Sequence, residues 1–315
     1  MTRLLRTNIF VACFVGCYFI SSFAIGILSA FIPALAADTL ITSLIIYLFS
    51  FGLPSVIYVW LIRKKTGEPI QSQLGLNPIA PIDLLLAILC GLLVQPVIML
   101  LSAVSQLFFQ NITSGSMVEM AQMPLWALLL SVGILPAFFE ELICRGVILQ
   151  GHRETPLWYQ LLLPAVFFGF LHLNFQQAIY TAAAGVFMAL LVRFTGSLWS
   201  SIAAHLVVNG SQSLMVWALT RMDGYSELLA ETEIALPTGG AALILTLIPY
   251  LLLTAIALPI LVLCMLKLYQ RGKSRQAAKK TQLQHWHRGA WPMYVVLGFL
   301  LAYTILTEIL LYVTL

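Results

Sequence analysis

Apolar residues run along this chain in long blocks rather than in alternation. Nine blocks can be read, over residues 9–36, 39–62, 82–108, 125–150, 157–173, 176–193, 197–219, 241–267 and 291–315. Most reach the ~20 residues that carry a helix across a ~30 Å hydrocarbon core. Continuous runs, in place of short alternating stretches, predict helices and not a barrel. The expected fold is an all-α, polytopic transmembrane helix bundle of about nine spans. It divides into N-terminal transmembrane helices (1–124), a helix core (125–219) and C-terminal helices with a basic loop (220–315).

Charged residues punctuate the blocks in a regular way. Arg3 and Arg6, Arg63 to Lys65, His152 and Arg153, Arg193, and the cluster from Lys267 to Arg288 fall on alternate connections. The other connections hold Asp38, Glu119, Asp223, Glu227, Glu231 and Glu233, with Arg221 as their cation. Positive residues mark cytosolic loops, so the N-terminus is expected in the cytosol and the C-terminus outside. The first block is about twice the length of a signal-peptide core, which predicts a retained helix despite the Ala-Leu-Ala at 34–36.

Composition agrees with this reading. Of 315 residues, 61% are hydrophobic and 9% charged, where a soluble domain carries about 25% charged residues. The cations cluster in a few short loops, so the net charge of +4 says little about nucleic acid, and the basic loop from Lys267 to Arg288 reads as a topology anchor attracted to anionic lipid. All five cysteines fall within predicted spans and read as packing residues, neither disulfides nor metal ligands.

Three stretches break the apolar pattern. SVGILPAFFEELICRGVILQG (131–151) holds Glu140, Glu141 and Arg145 inside a span. A charge at the bilayer centre costs at least ~2.5–3.5 kcal/mol, so such residues face the bundle interior and usually serve function. Glu141 and Arg145 are four apart with the acid first, the favourable ion-pair spacing. Glu140 lies about 100° round the helix and has no such partner. In VFFGFLHLNFQQ, Phe168 and His172 share a face; in SIAAHLVVNG, His205 and Asn209 do. Any one of these has a structural explanation, as a helix pin or packing histidine. Their co-occurrence reads as machinery for activating water. Glu140, assisted by His172, takes a proton from water, while His205 and Asn209 donate to the oxyanion of a tetrahedral intermediate. Cys144 lacks an adjacent base and is not expected to be a nucleophile.

Depth introduces one tension. At ~1.5 Å per residue, Glu140 lies about 8 Å and His205 about 12 Å from the cytosolic edge of a ~30 Å core, but His172 about 22 Å from it. Pro156 and Pro164 disturb the fifth block and leave room for an irregular helix there.

Glu-Glu-x-x-x-Arg, Phe-x-x-x-His and His-x-x-x-Asn, in that order and on separate helices, resemble the motifs of the CPBP family of intramembrane proteases, also called Abi or type II CAAX prenyl endopeptidase-like. The resemblance spans about residues 125–215. It implies an intramembrane endopeptidase with Glu140 as the catalytic glutamate, Glu141 and Arg145 as its motif partners, and His172, His205 and Asn209 completing the site. Phe168 shapes that site by packing. The implied partners are a membrane-associated protein or peptide substrate and the bilayer, in a bacterial plasma membrane. The family is often described as metalloproteases, and zinc on Glu140, His172 and His205 is the alternative. Absence of the helical His-Glu-x-x-His spacing and the commitment of Glu141 to Arg145 favour chemistry without a cofactor. Two other functions fit buried charges: a non-catalytic immunity or scaffold protein, and a proton-coupled transporter.

Overall fold

The computed structural model describes residues 2–32, 35, 38–111, 113–223, 240–277 and 289–313. Among these the regular structure is helical throughout, in nine principal helices. They are α1 (Arg3–Phe31), α2 (Thr39–Thr66), α3 (Pro81–Ser105), α4 (Leu125–Leu149), α5 (Leu157–Leu171), α6 (Phe175–Thr195), α7 (Trp199–Leu219), α8 (Gly240–Ala277) and α9 (Trp291–Val313). Eight are long and apolar enough to cross a bilayer. The exception is α5, whose 15 residues rise only about 22 Å, short of a ~30 Å core. The polytopic all-α bundle is as expected, with the fifth span too short to cross by itself. Lys267 to Ala277 continue α8, so the basic segment begins as helix. Its remainder to Arg288 lies outside the described residues, as do Glu227, Glu231 and Glu233.

The outward faces carry Phe23, Trp60, Ile256 and Val295, all largely exposed. Lipid tails are as apolar as leucine, so helix association in a bilayer depends on close packing and interhelical hydrogen bonds. Small residues supply the closeness. A Cβ on Gly91 of α3 would lie 2.9 Å from the Ala204 carbonyl oxygen of α7. One on Gly185 of α6 would lie 2.8 Å from Ala165 Cα of α5. Alanine at either position would force the helices apart.

Two helices relax into π geometry just before a proline: Tyr47–Gly52 before Pro54 in α2, and Leu129–Ile134 before Pro136 in α4. Proline brings no N–H to the turn behind it, and a local widening accommodates the gap. A third π stretch, Leu142–Leu149, directly follows the adjacent glutamates and is fully buried. These three irregular stretches border the polar centre of the bundle.

Candidate active site

Glu141 and Arg145 anchor that centre. Arg145 Nη1 donates to Glu141 Oε1 at 2.7 Å, with both side chains 0% exposed. The second arm of the guanidinium reaches across to α6, where Nη2 donates to the Gly185 carbonyl at 2.8 Å. That reach depends on the missing side chain, since a Cβ there would stand 3.3 Å from Nη2. The Phe168 ring covers the guanidinium, with Cζ 4.9 Å from its centroid. Phe168 also meets the rings of His172 and His205 edge-on, at 5.0 and 5.9 Å. One phenyl group thus spaces three polar side chains, more than a general packing role.

His205 bridges the two glutamates. Its Nδ1 stands 3.0 Å from Glu141 Oε1, and its Nε2 stands 3.9 Å from Glu140 Oε2. A carboxylate paired with arginine only accepts, so Nδ1 carries a proton, and Nε2 is the nitrogen that faces Glu140. His172 is fixed in the same way. Its Nδ1 lies 2.9 Å from the Phe168 carbonyl oxygen, an acceptor, which leaves Nε2 as the proton-accepting nitrogen.

Glu140 is only 13% exposed and opens onto a cavity of about 310 Å³ that it shares with His172, Tyr18, Ser43, Tyr47 and Leu171. The Tyr47 hydroxyl donates to Glu140 Oε1 at 2.9 Å. Glu140, without a helical ion pair as expected, therefore has a hydrogen-bond donor from α2. The cavity also resolves the tension over depth. From Glu140 the fourth helix runs on to Gly151, about 16 Å at 1.5 Å per residue. Measured along that segment, the gap to His172 shrinks to about 6 Å. Counting from the outer end had placed Glu140 too near the cytosolic edge, because the helix is longer than the hydrocarbon core.

Asn209 is placed differently from the expectation that it and His205 aim at one atom. Its Nδ2 donates to the Val132 carbonyl at 3.0 Å. Val132 lies four residues before Pro136 in the second π stretch, so the amide supplies a donor that proline cannot. One of its two amide protons is left over.

Behind His172 the chain turns sharply. Leu173 adopts φ 56°, a left-handed conformation uncommon for a branched side chain, and Asn174 caps α6 through Gln177 N–H at 3.0 Å. The turn is braced from α9. Thr307 Oγ1 donates to the Leu173 carbonyl at 3.0 Å, and the buried Glu308 carboxylate faces the Phe175 N–H. Sequence reasoning missed Tyr47, Thr307 and Glu308. Glu308 did carry a signal, as a carboxylate inside the last apolar block. Tyr47 carried none.

Among the described residues, no three His, Cys, Asp or Glu side chains form a metal-holding group. Glu141 is committed to Arg145 and His205, and both Nδ1 atoms are engaged.

Residues 122–211 match a family model described as type II CAAX prenyl endopeptidase Rce1-like. The segment contains all three motifs and bears out the CPBP/Abi resemblance. No curated protein and no solved structure matches the chain.

Proposed function

We propose that this chain, a multi-pass membrane protein of the CPBP protease family over residues 122–211, hydrolyses a peptide bond of a membrane-associated protein or peptide with water activated by Glu140. The observation that carries this reading is the shared cavity. Glu140 and His172 both line one half-open cleft of about 310 Å³.

In this mechanism Glu140 accepts a proton from water held between it and His172, and the resulting hydroxide attacks the substrate carbonyl. Tyr47 orients the Glu140 carboxylate. Glu141 orients His205 through its Nδ1–H; a proton taken from solvent onto Nε2 before the attack, and returned to solvent with the products, lets His205 donate to the oxyanion. Arg145 holds Glu141 in place. Asn209 keeps α4 and α7 in register through the Val132 carbonyl. The proton on Glu140 then passes to the leaving amine, so water is divided between the two products. No cofactor enters any step.

Incubating the purified full-length protein with membrane-tethered peptides tests the reading. Products should form with the parent protein and not with Glu140→Gln. Cleavage that survives Glu140→Gln overturns the glutamate's role, and no cleavage of any tethered peptide favours an immunity or scaffold function. Stoichiometric zinc whose removal and restoration track activity would replace the metal-free scheme.

A further inference from the structure

A second cavity lies apart from the glutamates, between α1 and the end of α2. It has a volume of about 430 Å³, within the ~300–1,000 Å³ of ligand pockets. Its walls are apolar, with Cys13 and Cys17 on α1 and Phe49 and Leu53 on α2, and Arg6 and Lys65 stand at one end. The two helices are antiparallel, and the Thr7 to Tyr58 hydroxyl bond of 2.9 Å sets their register. Both cations therefore lie at the same membrane face. From Arg6 to Cys17 the cleft descends about 16 Å at 1.5 Å per residue, roughly one leaflet of a ~30 Å core.

The cations at this end are not alike. Glu68 pairs with Arg3 and with Arg153. Arg6 and Lys65 meet no carboxylate among the described residues, and Arg6 Nε is buried without a hydrogen-bond partner. An apolar slot one leaflet deep with two uncompensated cations at headgroup level is complementary to a single chemical class. We propose that this cleft is a binding site for an anionic phospholipid, with the phosphate on Arg6 and Lys65 and one acyl chain along Cys13, Cys17, Phe49 and Leu53.

The site carries its own reporters, because Cys13 is exposed and Cys17 partly so, whereas Cys90 and Cys144 are buried. The full-length protein in a neutral detergent is titrated with phosphatidylglycerol or phosphatidylcholine, and maleimide labelling is followed peptide by peptide. Cys264, on α8, serves as the reference. Phosphatidylglycerol should slow labelling at Cys13 and Cys17 at concentrations roughly 30-fold lower than phosphatidylcholine, about fivefold for each cation. Arg6→Gln combined with Lys65→Gln should abolish that preference. Equal protection by the two phospholipids, a preference that survives the double substitution, or equal protection by a neutral isoprenoid alcohol overturns the proposal. If the double variant does not fold, native mass spectrometry of the unaltered protein decides: a retained phosphatidylglycerol supports the site, and no selective retention rejects it.

Discussion

Replacing each of the adjacent glutamates by glutamine separates folding from chemistry. Glu141 Oε1 receives two donors, Arg145 Nη1 at 2.7 Å and His205 Nδ1 at 3.0 Å, in a site with no exposure. Glutamine keeps the shape but strands the guanidinium. Breaking a buried pair from one side costs ~3–5 kcal/mol, because the remaining charge is uncompensated. Glu140 is held by one neutral donor, Tyr47, and the carbonyl of a glutamine accepts from it equally well. Its substitution should change stability by less than ~1 kcal/mol. At ~2–4 °C per kcal/mol for large domains, Glu141→Gln lowers the melting temperature by at least about 6 °C. Glu140→Gln stays within a few degrees of the parent. Unfolding in detergent is often irreversible, so the comparison is made at one scan rate. Cleavage of a tethered peptide is measured on the same preparations, and Glu140→Gln loses nearly all of it while remaining folded. The roles are reversed if Glu140→Gln unfolds and Glu141→Gln is stable but inactive.

Further outcomes follow from other contacts. Tyr47→Phe removes the donor to Glu140 and should lower kcat roughly tenfold with KM held, since a hydrogen bond to a charged group is worth ~1.5–3 kcal/mol; an unchanged kcat makes Tyr47 a wall of the cavity only. Asn209→Ala should lower the melting temperature, because the Val132 carbonyl loses its donor; a kcat lowered roughly 10²–10³-fold at unchanged stability would instead give Asn209 an oxyanion role. His152, in the turn after α4, is pushed by burial from 6.5 down to about 4, partly offset by its bond to the Ile148 carbonyl. Its folded-state value is depressed, so its contribution is complete above pH 6.5 and disappears as pH falls towards 4, at most about 3 kcal/mol. His152→Phe should flatten melting temperature against pH across that window, and an unaltered slope refutes this. A topology reporter after Arg288 should read cytosolic and one at Leu315 external; a cytosolic C-terminus means the α5–α6 pair does not alternate as the basic loops suggest.

Much of this site could be read without coordinates because its parts repeat at helical spacing. Glu141 and Arg145, Phe168 and His172, and His205 and Asn209 each share one helix face, and α-helical periodicity is a local property. What stayed illegible depends on contacts between helices. Tyr47 meets Glu140 across 93 positions of sequence, and one tyrosine in an apolar run has no distinguishing pattern. Asn209 turns to Val132 because of a proline on another helix, which spacing within α7 cannot reveal. Glu308 was visible as an intramembrane acid, but its place beside the Phe175 N–H arises only when α9 packs against the turn after His172.

The spacing of Glu141 and Arg145 also bears on how the protein is made. Arg145 finds its later partners on α5 and α6, at Phe168 and Gly185, and these emerge from the ribosome after α4. A lone guanidinium would then face the translocon with an insertion penalty of roughly 2.5–3.5 kcal/mol. Glu141 emerges one turn ahead of it, so the segment enters the bilayer carrying its own counter-ion. The pair that fixes the finished centre is thus complete before the rest of that centre exists, and α4 need not wait for a neighbouring helix to be neutralised.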